Sequence, residues 1–136
     1  MSWSTSLVKL STYEVEMHQK RLGEIVARKS VAEARLRALQ AEGEEEAIRA
    51  RQDVAAGWYQ IGYLDGLRMR KAGIQAEIDA IAIEELGARD ALNAAFEEQK
   101  KYEQVVENAR RAEVKEAAKR ETAALDELGL RKRAIG

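Results

Sequence analysis

Between residues 15 and 39, side chains at alternating steps of three and four form one line: Val15, His18, Leu22, Ile25, Lys29, Ala32, Leu36 and Leu39. This is a heptad seam with two polar members, and it predicts a helix that buries a narrow stripe against another helix. A second stripe runs through Ile74, Ile78, Ile81, Ala88, Leu92, Ala95, Tyr102, Val106 and Ala109, with Glu85 and Gln99 as its polar members. Between the two the step changes. Gly43, Ala47, Ala50, Val54, Trp58 and Ile61 follow an eleven-residue period, which locally relaxes a left-handed supercoil.

The reversal is predicted within GWYQIGYLDGLRMRKAG, residues 57 to 73, which holds Gly57, Gly62, Gly66 and Gly73, four of the nine glycines. Glycine costs a helix roughly 1 kcal/mol against alanine and accepts positive φ, and the chain has no proline to force a break elsewhere. Asp65-Gly66 is the best local turn signal, with Leu64, Leu67 and Met69 placed to cover the bend. The expected fold is therefore all-α: one long antiparallel two-helix coiled-coil hairpin spanning residues 1–136. Helix one covers about 8–63, the turn about 64–73 and helix two about 74–129, followed by a frayed RKRAIG tail. In that register Leu7 and Leu10 fall opposite Leu125 and Leu128. Ser11-Thr12-Tyr13-Glu14 has the form of a capping box, so the first helix starts there or earlier, near Ser4 to Ser6.

Composition supports an extended helical protein over a globule. Ala, Glu, Lys, Leu and Arg supply 78 of the 136 residues, and Phe96 is the single phenylalanine. Although 35% of residues are charged, the net charge is −1 and the apolar positions are periodic, unlike those of a self-repelling disordered chain. Acid-first i,i+4 pairs recur: Glu16 with Lys20, Glu24 with Arg28, Glu33 with Arg37, Glu45 with Arg49, Glu85 with Arg89, Glu97 with Lys101, Glu107 with Arg111 and Glu116 with Arg120. They argue for helix and say nothing of function. Neither a signal peptide nor a transmembrane run is visible, and the absence of cysteine fits a reducing compartment, so the cytosol is the default location.

Most chemistry lacks its residues. His18 is the only histidine and there is no cysteine, which removes His/Cys zinc sites and Cys-His or Ser-His nucleophiles. Neither glycine-rich phosphate loop is present, and Glu84-Glu85 and Glu97-Glu98 have no pocket to tune them. No enzyme activity, cofactor or metal is expected. From residue 100 onward there are ten basic and seven acidic residues, among them Arg110, Arg111, Lys115, Lys119, Arg120, Arg131, Lys132 and Arg133. The signs are interleaved, as on a solvated helix, so no nucleic-acid partner is expected. Glu42 to Glu46 is likewise read as a solvated face, or else as a docking site for a basic partner.

What remains is aromatic. Gln52, Tyr59 and Tyr63 lie at i, i+7 and i+11 of a helical stripe, with Trp58 beside it. Such rings are enriched at binding hot spots, and they can equally plug the end of a hairpin where glycines leave room.

Leu7-x2-Leu10 followed by YEVEMHQKRLGEIVARK, the central Gln52-x6-Tyr59-x3-Tyr63 and the second long helix together resemble the FliJ family of the bacterial flagellar type III export apparatus. Most of the chain is covered; a leucine that the family often places between the glutamine and the first tyrosine is Ala56 here. The resemblance implies a non-enzymatic, stalk-like coiled coil that inserts into the flagellar export ATPase ring, contacts the cytoplasmic domain of the export-gate membrane protein and escorts export chaperones. It implies a cytoplasmic protein peripheral to the inner membrane at the flagellar base. It also makes Gln52, Tyr59 and Tyr63, with Trp58, the candidate partner surface, joined by Ile74, Ile78 and Ile81 from the second helix. The reading from the residues alone that competes with it is a self-associating structural or chaperone-like coiled coil.

Overall fold

A computed structural model of the chain describes residues 3–53, 55 and 57–135. Two helices hold nearly all of them, α1 (Trp3–Gln52) and α2 (Gly57–Ile135), and they pack against one another as an all-α hairpin. The described residues contain no strand. The contacts divide into two compact units, Glu16–Asn93 and the remainder of both helices.

In Glu16–Asn93 the two seams meet as their spacing requires. Ile25 and Ala32 of α1 and Ile74, Ile78, Ile81 and Ala88 of α2 form one buried cluster, flanked by the partly buried Leu22, Leu36 and Leu39. Arg28 pairs with Glu84 at 3.1 Å and Arg35 with Glu77 at 3.5 Å, an order that makes the helices antiparallel. The polar seam members Lys29 and Glu85 face each other at 3.4 Å, and Arg89 adds a second cation to Glu85 at 3.3 Å. Burial alone would raise the Glu85 pKa, but hydrogen bonds from Lys29 and Arg89 outweigh it and hold the carboxyl below the usual glutamate value. Two polar residues are thus kept in the seam as a pair, so neither is left as an uncompensated charge. At Gly43 the helices approach so closely that a Cβ there would lie 2.5 Å from Leu67 Cδ2.

In the other unit, residues up to Val15 pack beside α2 from Ala94 onward. Val15 and Ala95 are buried, and Gln99 Nε2 donates to Thr12 Oγ1 at 3.2 Å. Counting one residue forward on α2 for each residue back on α1, Trp3 comes level with Asn108. Every residue from Asn108 to Ile135 is exposed, as it must be with no α1 beside it. Helix persists there because the segment is rich in alanine and carries i,i+3 and i,i+4 ion pairs, among them Glu107 with Arg110 and Arg111 and Glu127 with Arg131.

Three expectations need correction. Helix α1 ends at Gln52 and α2 begins at Gly57, so helix one stops earlier than expected and the stretch 64–73 is helical rather than a turn. None of the described residues takes positive φ, so Gly62, Gly66 and Gly73 do not use their conformational freedom; each costs the helix only about 1 kcal/mol, which flanking contacts offset. Because the break comes earlier, the register shifts: Leu125 and Leu128 remain 63% and 60% exposed and do not cover Leu7 and Leu10. Ser11 is not a cap either. It lies within α1, 2% exposed, and donates its hydroxyl to the Val8 carbonyl oxygen at 2.8 Å, while Thr12 donates to the same oxygen at 2.9 Å. Helix α1 instead begins at Trp3, next to the earlier of the two expected starts. Among the acid-first pairs, Arg28 turns away from Glu24 to reach Glu84 across the seam, and Arg49 takes Glu46 at i,i+3. Val54 and Ala56 lie outside the described residues.

Candidate interaction surface

The link places aromatic side chains at the start of α2, where little covers them. Asp53 Oδ1 accepts a hydrogen bond from the Ala55 backbone N–H at 3.0 Å, a local turn that competes with helix and explains why the chain breaks here. Gln52, the last residue of α1, is exposed. Trp58 and Tyr59 follow in the first turn of α2, 83% and 75% exposed, their rings edge to face at a centroid distance of 5.9 Å. Ile61 and Met69, 74% and 76% exposed, extend the apolar surface; Trp58 and Met69, eleven residues apart, share a helical stripe.

Tyr63 faces the other way. Its ring is half-buried, and with Glu46, Ala50, Tyr59 and Gln60 it lines a cavity of about 270 Å³. Among the described residues the hydroxyl oxygen, shielded from water, makes no hydrogen bond of good geometry, and Glu42 is the carboxylate near enough to act on it as an acceptor. This desolvation, reinforced by the negative charges of Glu42 and Glu46, raises the pKa of the phenol. The group is therefore neutral at any ordinary pH, and the acidic run Glu42 to Glu46 is partly engaged with α2 rather than wholly solvated.

The sequence-predicted residues thus separate. Gln52, Trp58 and Tyr59 share the link end; Tyr63 straddles surface and interior. Ile74, Ile78 and Ile81 are 8%, 8% and 4% exposed inside the hairpin, so a partner reaches them only by opening it. Ile61 and Met69 belong to the exposed surface although the sequence pattern assigned them to the seam and to the cover of the bend. A break before Trp58 is the signal that moves them, since it starts α2 with a new rotational phase. Among the described residues no group of His, Asp or Glu side chains is placed to hold a metal ion, and no helix is long and apolar enough to cross a membrane.

Exposed aromatic rings of this kind are enriched at binding hot spots, and an indication of what the surface serves comes from kinship. The family model described as "Flagellar FliJ protein" matches residues 5–134. The chain belongs to the flagellar FliJ family. Curated FliJ proteins of two Caulobacter vibrioides strains, NA1000 / CB15N and ATCC 19089 / CIP 103742 / CB 15, are each 47% identical to this FliJ-family chain over 134 residues, covering 98% of it and 96% of the relative. No solved structure gives a significant match.

Proposed function

We propose that this FliJ-family chain works in the flagellar export apparatus as a non-enzymatic, stalk-like coiled coil. In this reading it links the export ATPase ring to the cytoplasmic domain of the export-gate membrane protein and escorts export chaperones, and so supports flagellum assembly and motility. It acts in the cytoplasm, peripheral to the inner membrane at the flagellar base. Family membership supports the flagellar assignment. The observation that carries the contact surface is the exposure of Trp58 and Tyr59 beside Gln52, where two aromatic rings offer contact area with little to lose in side-chain entropy.

Purified chain is tested in pull-downs against the export ATPase and the gate's cytoplasmic domain. Capture of both, with loss of at least one on changing Trp58 and Tyr59 to alanine, is the expected result. Capture of neither contradicts the linking role. Capture of both that survives the double substitution unchanged contradicts the placement of the surface.

A further inference from the structure

The part of α2 that α1 does not cover carries a seam of its own. From Gln99 and Val106, seven-residue steps lead to Glu113, Arg120 and Glu127, so the stripe used inside the hairpin turns polar where α1 ends. A different line takes over at alternating steps of four and three: Val114, Ala118, Glu121, Leu125, Leu128, Lys132 and Ile135. Five of these seven are apolar, and all seven are exposed. Val114, Leu125, Leu128 and Ile135 show 59%, 63%, 60% and 89% of their surface to solvent. The positions immediately beside the line are mostly small, Ala117, Thr122, Ala124 and Gly129, which lets a second helix come close. Among the described residues neither Glu121 nor Lys132 makes an ion pair, whereas Glu127 and Arg131, off the line, pair with each other at 3.2 Å.

We propose that residues 118–135 bind the same segment of a second copy of this chain, antiparallel, about a two-fold axis between Leu125 and Leu128. The charges select that arrangement. With Leu125 of each copy opposite Leu128 of the other, Glu121 stands opposite Lys132 twice over, and Ala118 opposite Ile135. Within 118–135 every polar member of the line then meets its opposite charge and every apolar member an apolar one, while Val114 lies beyond the overlap. An in-register parallel pair would instead set Glu121 against Glu121 and Lys132 against Lys132, two like-charge layers within the seam. The isologous patch closes on itself, so the assembly stops at a dimer. Overlap of only 118–135 gives a small interface, and the dissociation constant is on the order of 10–100 µM. The proposal is independent of the link-end surface and of what binds there.

Sedimentation equilibrium of the full chain from about 5 µM to about 500 µM is the test. The expected weight-average mass rises from the 15.2 kDa of one chain toward twice that value. Glu121→Lys or Lys132→Glu alone weakens the dimer about tenfold or more, and the double exchange restores it, because both cross-chain pairs are re-formed with signs reversed. Circular dichroism of each variant checks that the helix survives. A mass constant at one chain throughout, which would leave the stripe to a different protein, overturns the proposal. So do single reversals without effect, or a double exchange no better than the singles.

Discussion

Ile81→Ala separates the residues that hold this hairpin from those that face a partner. Ile81 is 4% exposed and sits in the cluster with Ile25, Ala32, Ile74, Ile78 and Ala88. The substitution removes three carbons from the seam, and at about 0.8 kcal/mol for each that is about 2.4 kcal/mol of transfer free energy. An unfilled cavity adds to the loss, while alanine's better helix propensity returns a few tenths of a kcal/mol. The net expectation is a loss of about 2–3 kcal/mol. Trp58→Ala, at a position 83% exposed, should change stability by less than about 0.5 kcal/mol. Urea unfolding followed by circular dichroism at 222 nm gives both numbers from the same baseline. A loss under about 1 kcal/mol for Ile81→Ala would mean that the seam is not the source of the hairpin's stability. A loss for Trp58→Ala as large as for Ile81→Ala would make the link-end rings a structural plug, the alternative that the sequence left open.

Other outcomes follow from single contacts. Gly43→Ala forces Leu67 to move, whereas Gly23→Ala meets nothing within 4 Å; the second should gain up to about 1 kcal/mol in thermal unfolding and the first should fall short of it by about 1 kcal/mol or more. Because the Glu85 pKa is depressed in the folded chain, its contribution to stability is present above the ordinary glutamate value of 4.5 and is lost as pH falls through the lower folded value. Urea midpoints at pH 6 and pH 3 should therefore converge in part in Glu85→Gln; an undiminished pH slope would show that the Lys29 pair does not matter. Tyr63→Phe removes a shielded hydroxyl that makes no hydrogen bond of good geometry among the described residues, so the unfolding midpoint should stay or rise, and a clear fall would reveal a hydrogen bond to Glu42. In ultraviolet titration of the phenols Tyr63 should be among the last to ionise, above the normal tyrosine value of 10.0.

The seams were legible because a two-helix protein has little other than its stripe to bury. Val15, Ile25 and Ala32 are buried and His18, Leu22, Lys29, Leu36 and Leu39 half-buried, in the order their spacing indicates. The pairing of Lys29 with Glu85 was not legible, since it depends on register, and register depends on the residue at which the chain turns. Four glycines in seventeen residues pointed to that turn too far along the chain. A glycine weakens a helix by an amount that one well-packed neighbour can offset, whereas Asp53 supplies a hydrogen bond that helix geometry does not. Equal arms were also a natural assumption, as they bring the leucines at the two ends together. The actual arms have 50 and 79 residues, and the excess of α2 stands as helix on its own alanines and ion pairs. At the link end the residue types were found from spacing, but which of them face solvent was not. Ile74, Ile78 and Ile81 look like surface candidates only until the facing stripe of α1 is laid against them.

On the proposed function, the exposed rings at the start of α2 form a partner contact of a flagellar export component. Titration calorimetry of the purified chain against the gate's cytoplasmic domain, with and without Trp58→Ala and Tyr59→Ala, measures that contact. Binding that the double substitution weakens about 30-fold or more is expected, matching loss of about 2 kcal/mol at a hot spot, with helicity unchanged. Equal affinity of the two forms for that domain would contradict it.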